Sequence, residues 1–262
     1  MISDQRGIAK QIKRILPTSV FRLLTVIYND VMSVIPFNIK YGFAGLLRKN
    51  KYPYCVIEDG DIVVQIGAPR DTLVAGRSRA IHFARMVGSG KVIVLEPDPE
   101  NYKALKDFVE CYGLSERVKL FQVGAWNEKT ELVFLSSHTH PAANVVIDVK
   151  DISPEIEASR GYKKIKICVD TVDNILREAK LKLPRLISIT TNGAERHIID
   201  GMKKSLAQGV DYVSLASTQP NLIDFFLFSQ RANMYEYVAR DDRGYCFMSL
   251  SRLTNKKNFS DC

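Results

Sequence analysis

Short, predominantly apolar runs alternate with stretches of helical periodicity along most of this chain. Residues 62–66, 92–95, 118–123, 186–189 and 212–215 are such runs, of the kind that parallel strands buried on both faces require. Helical patterns lie between them. Residues 80–87 form one. Residues 101–112 form the clearest, with Tyr102, Leu105, Phe108, Val109 and Tyr112 on one face and Gly113 offering a C-cap. Further helices are predicted from the caps at Thr171 and Asp173 through Lys180, after TTNGAE through Leu206, and over 221–233. This alternation implies parallel strands joined by right-handed crossovers, an α/β domain spanning 51–262. Two places depart from it. Strand pieces at 131–135, 144–149 and 164–169 surround a polar loop at 136–143 and predict a β-rich insertion, about 130–170, over one sheet edge. Residues 235–239 and 245–250 flank Asp-Asp-Arg-Gly, so the sheet is expected to end in an antiparallel hairpin.

The first fifty residues read differently. Ile8, Ile12, Ile15 and Leu16 recur at helix spacing, as do Phe21, Leu24, Ile27, Tyr28 and Val31, with Pro17 and Pro36 as breaks. Residues 1–50 are therefore a helical segment packed on or hinged to the main domain, and 52–57 a short strand leading in. Of the chain's net +8, this segment supplies most: eight Lys or Arg against two Asp give +6. Such a face is either solvated or drawn to an anionic surface, the lipid head groups of a membrane or a polyanionic substrate. Nucleic acid is not expected, because no stacking aromatics interleave with the basic residues. No apolar run reaches the roughly 20 residues that span a bilayer, and the N-terminus has no secretory pattern. Five scattered cysteines without a CxxC pair fit a reduced, cytoplasmic protein, at most peripheral to a membrane.

The candidate chemistry sits between Asp61 and Asp98. Strand, glycine turn, helix, glycine turn and strand lead there to Glu96. In an α/β sheet a bare turn at Gly67–Ala68 lets backbone approach a ligand, and a carboxylate at the next strand tip accepts hydrogen bonds from ribose hydroxyls. Arg70, Arg77 and Arg79 follow the turn, as a solvated run or a phosphate clamp. His138 and His140 lack a third ligand at metal spacing and read as loop residues, so no metal is expected. His82 reads as structural.

DIVVQIGA, VIVLEPDPENYKAL, VDTVDNIL and NGAERHIIDGM, in that order, resemble the FkbM-type S-adenosylmethionine-dependent methyltransferases. The resemblance runs from about Gly60 to Gly209. It implies a Rossmann-like, seven-stranded, mostly parallel sheet with an antiparallel last strand, plus the N-terminal helical segment. It implies S-adenosyl-L-methionine as cofactor and O-methylation of a sugar, lipid-linked or small-molecule hydroxyl. By position it assigns Gly67, Ala68 and Gly76 to the methionine turn, Glu96 to the ribose, Asp98 with Asn101 to the adenine side, and Gly124, Ala125 and Trp126 to the adenine border. Thr190, Asn192, Glu195 and His197 would face the acceptor, His197 as a candidate base. The family's acidic residue two places before the first glycine is Gln65 here. Its KxDxEGAE segment is SITTNGAE, with Ser188, Thr190 and Asn192 replacing Lys, Asp and Glu. Two other readings stay open: a methyltransferase-fold binding protein that has lost catalysis, and an NAD(P)-dependent oxidoreductase, which lacks GxGxxG.

Overall fold

A computed structural model describes residues 34–147, 161–216, 235–240 and 244–252, with isolated positions at 20, 27, 30–32, 155 and 158. The helix expected at 221–233, the hairpin turn at 241–243 and most of the first helical stripe lie outside the described residues. The strands are β1 (Ile62–Ile66), β2 (Lys91–Leu95), β3 (Val118–Phe121), β4 (Gly124–Ala125), β5 (Thr130–Ser137), β6 (Val145–Val146), β7 (Tyr162–Asp170), β8 (Leu186–Ile189), β9 (Tyr212–Leu215), β10 (Tyr235–Arg240) and β11 (Tyr245–Ser249). The helices are α1 (Phe37–Arg48), α2 (Asp71–Val74), α3 (Arg79–Ala84), α4 (Pro99–Cys111), α5 (Val172–Glu178), α6 (Glu195–Asp200) and α7 (Lys203–Ala207).

Seven strands form the main sheet in the order β10-β11-β9-β8-β1-β2-β3. β1 pairs in parallel with β2 and β8, β2 with β3, and β8 with β9. β11 runs antiparallel to β9 and β10, so the sheet does end in an antiparallel strand. Side chains of a strand alternate between faces. Val64, Ile66, Ile93 and Leu95 enter one core cluster, Val63, Val92 and Val94 the other, and all are nearly inaccessible. That two-sided burial is why these strands read as continuous apolar runs.

Four expectations differ. The β-rich insertion is a second sheet, ordered β4-β7-β5-β6, that packs Phe134, Val146, Ile167 and Val169 into the core on one face of the main sheet rather than lying over its edge. Residues 52–57 are not a strand. Pro53 cannot donate to a ladder, and the Lys51 carbonyl instead accepts from the amides of Tyr54 and Cys55 in a short 3₁₀ turn. The helix expected through Leu206 breaks at Gly201, where a Cβ would stand 1.8 Å from the Trp126 carbonyl oxygen. Arg79 is buried, not solvated: α3 lies on the sheet, and the guanidinium donates to the hydroxyls of Ser188 and Ser214 at 3.1 Å each.

Candidate active site

β1 ends at Ile66, and the chain must then turn to reach α2. Gly67 makes that turn with φ +81°, its amide donating to the Leu95 carbonyl at 2.9 Å. A Cβ at Gly67 would stand 2.5 Å from the Thr190 carbonyl oxygen, so only glycine fits where the ends of β1 and β8 meet. The next amide, of Ala68, donates to the Glu96 carboxylate at 2.6 Å. The amide of Asp98 donates to the same carboxylate at 3.0 Å, and the Asn101 side chain at 3.5 Å. These contacts tie the β1 turn to the tip of β2. Burial nevertheless dominates and pushes the Glu96 carboxyl up to about 7, against the amides that favour its ionised form.

A cavity open to solvent lies at this end of the sheet. Gly67, Glu96, Pro97 and Asn101 line one side, and Gly124, Ala125 and Trp126 border them. Thr190, Thr191 and Asn192 line it beyond β8. The second sheet closes it with Phe134, Val146, Ile167 and Val169. Among the described residues, Glu96 is the single ionisable side chain in this lining.

Two positions that depart from the family pattern, Gln65 and Thr190, bond to each other, and a third, Asn192, bonds elsewhere. The Gln65 amide donates to the Gly67 carbonyl at 2.8 Å and to the Thr190 hydroxyl at 2.7 Å. That hydroxyl donates in turn toward the carbonyls of Ile66 and Gly67, 2.9 Å from each. Asn192 donates to the carbonyls of Ala142 and Asn144, at 2.9 Å each, and so fastens the 138–144 loop across the cavity. Carboxylates cannot donate, so acidic residues could not make these bonds.

Other expected site residues lie elsewhere. Asp98 does not line the cavity. It is buried, and it caps α4 by accepting from the amides of Glu100 and Asn101. Its second oxygen accepts from Ser136 and from the Asn144 amide, so no lone pair is left for a ligand. Gly76 is not in the cofactor turn, because the inserted α2 carries it away. Its carbonyl meets His82 Nε2 at 3.0 Å, and a Cβ there would strike the Lys40 side chain. Glu195 is buried in the first turn of α6, outside the cavity lining. His197 also lies outside it and stacks on Trp126, ring centroids 3.9 Å apart. Sequence reasoning missed Thr191, whose hydroxyl is buried without a hydrogen-bond partner among the described residues. It also missed the apolar wall from β5, β6 and β7, for which strand alternation in the insertion was the only signal.

The chemistry of these groups fits S-adenosylmethionine. A bare glycine turn beside a buried carboxylate suits an aminoacyl chain joined to a ribose. An ionised carboxylate has about four acceptor positions, and the Asn101 donor at 3.5 Å is easily displaced by a diol.

The methyltransferase FkbM domain model matches residues 65–245, more than half of the chain. No curated protein matches. Among solved structures, methyltransferase FkbM from Methylobacillus flagellatus KT is similar over 86% of this chain and 58% of its own, with 15% identity and a TM-score of 0.47. A SAM-dependent O-methyltransferase from Thermotoga maritima matches 78% of this chain and 52% of its own, at 16% identity and TM-score 0.37. The chain thus spans little more than half the length of these two. Fibrillarin from Aeropyrum pernix, with natively bound S-adenosyl-L-methionine, matches over 81% of this chain and 75% of its own, at 11% identity and TM-score 0.41.

Proposed function

The chain belongs to the FkbM methyltransferase family, and from that premise we propose that it uses S-adenosylmethionine to methylate an oxygen of an uncharged, hydroxylated acceptor. The observation that carries this reading is Glu96, buried in the cavity wall and joined to the Gly67–Ala68 turn by the Ala68 amide. Bound there, the cofactor would supply an electrophilic methyl group. Glu96 would accept from the ribose hydroxyls, and Gly67 would leave room for backbone approach. Gly124, Ala125 and Trp126 would flank the base.

The acceptor side supports an uncharged substrate. Thr191 and Asn192 offer hydrogen-bonding groups, Phe134, Val146 and Ile167 offer apolar surface, and no charge lies among them. Methyl transfer is an in-line displacement, so orientation supplies much of its rate. The 190–192 segment that lines the cavity beyond β8 would orient the acceptor hydroxyl. Among the described residues no lining side chain there serves as a strong base, so the acceptor's own acidity matters, and phenolic or enolic hydroxyls fit better than a plain alcohol.

That same lack of a base favours a second reading, a cofactor-binding protein without turnover. Calorimetry with S-adenosylhomocysteine and methyl-transfer assays on phenolic and sugar acceptors separate the two. Binding with turnover supports the enzyme, and binding without turnover on any acceptor supports the second reading. No binding sinks both.

A further inference from the structure

α1 packs on the domain by one face only. Tyr41 is buried, its hydroxyl donating to the Leu73 carbonyl at 3.0 Å, and Phe37 stacks on Tyr112 at 4.1 Å. The opposite face is apolar too. Ile39, Phe43, Leu46 and Leu47 recur at intervals of four, three and one, and are 47–65% exposed. Val20, Ile27, Val31 and Val34 are also exposed, so eight of the thirteen exposed large hydrophobic side chains among the described residues precede residue 48. Scattered exposed hydrophobics are ordinary, but this concentration is not.

Charge decides what covers it. Residues 1–50 carry net +6, and Arg48 and Lys49 follow directly on Leu46 and Leu47 at the end of α1. A second copy of this chain would bring two such basic segments together, which like-charge repulsion opposes. An anionic bilayer attracts the same charges while accepting the apolar stripe into its headgroup region. We propose that α1 docks this protein on an anionic phospholipid surface, with Phe43 and Leu46 inserted. The Lys40 ammonium donates to the Val74 carbonyl at 2.9 Å, so α1 is fastened to α2, five residues beyond Pro69 in the cavity wall. Docking therefore holds the cavity close to the membrane.

Vesicle sedimentation of the full chain tests this. The chain is expected to bind phosphatidylcholine vesicles containing about a third phosphatidylserine in about 0.1 M salt, and to release in about 1 M salt, where the Debye length falls from about 10 to about 3 Å. Phe43→Ser with Leu46→Ser should weaken binding about tenfold or more while leaving the circular dichroism and melting temperature unchanged. No binding to the anionic vesicles, equal binding to pure phosphatidylcholine, or undiminished binding by the double variant overturns the proposal. So does a concentration-dependent dimer that the double variant dissolves, since the face then belongs to a second copy.

Discussion

Glu96 sits where two effects oppose each other. Burial favours its protonated form, and two backbone amides favour its ionised form. Burial wins, and the carboxyl titrates near about 7 in the folded protein, above its ordinary 4.5. A raised carboxyl helps the fold at low pH, and its contribution is lost as pH rises from about 4.5 to about 7. Ligand binding runs the other way, because ribose hydroxyls donate to the ionised form. S-adenosylhomocysteine affinity is expected to rise about tenfold between about pH 6 and about pH 8 and to level off above that. Calorimetry across that range checks it, and Glu96→Ala should both weaken binding about tenfold or more and flatten the profile. Gly67→Ala forces φ +81° on alanine and drives its Cβ into the Thr190 carbonyl. It should cost at least about 1–2 kcal/mol in chemical denaturation, with loss of cofactor binding. Glu96 and Gly67 were legible because a turn and a strand tip are local signals. Asp98 was not, since two of its four donors, Ser136 and Asn144, come from 38 and 46 residues away.

Between elements, the contact that matters most is the one joining the 138–144 loop to the segment after β8. Asn192 holds that loop by two carbonyls, and Arg70 holds its other side, donating to the His138 carbonyl at 2.8 Å. The pairing explains why an amide replaces the family's acid at residue 192. Asn192→Asp should remove both bonds and set a carboxylate against two carbonyl oxygens, costing about 1–3 kcal/mol in denaturant titration. Faster amide exchange around Asn144 would accompany it, and unchanged exchange would refute the fastening role. The strand pieces at 131–135 and 164–169 were legible and lie within β5 and β7, while of 144–149 only Val145–Val146 is strand among the described residues. Their place was not, because alternation shows that one face is buried without saying against what. The turn was misread for a related reason: the spacing from Gly67 to Gly76 announces an insertion, yet only the formed helix α2 shows that it leads toward α1 and away from the cavity.

At the scale of the whole molecule, the cavity is walled by both sheets. Gly67, Glu96 and Thr190 come from the ends of main-sheet strands, and Phe134, Val146 and Ile167 from the second sheet. Those second-sheet residues belong to the same core cluster as Val64 and Ile93 in the main sheet. A ligand that bridges both walls therefore bonds to units that unfold together, and its binding energy enters the stability of the entire domain. At about one hundred times its dissociation constant, a ligand bound only to the native state adds about 2.7 kcal/mol. For a chain of this size each kcal/mol raises the melting temperature by about 2–4 °C, so S-adenosylhomocysteine should raise it by about 5–11 °C. Differential scanning calorimetry checks both the size and the form of the change. A single transition moving as one body fits a ligand clasped by both sheets. A low-temperature shoulder that stays in place while the main peak moves would mean that the second sheet unfolds independently and contributes no wall to the bound state. The apolar side of the acceptor site would then have to be sought elsewhere than in β5, β6 and β7.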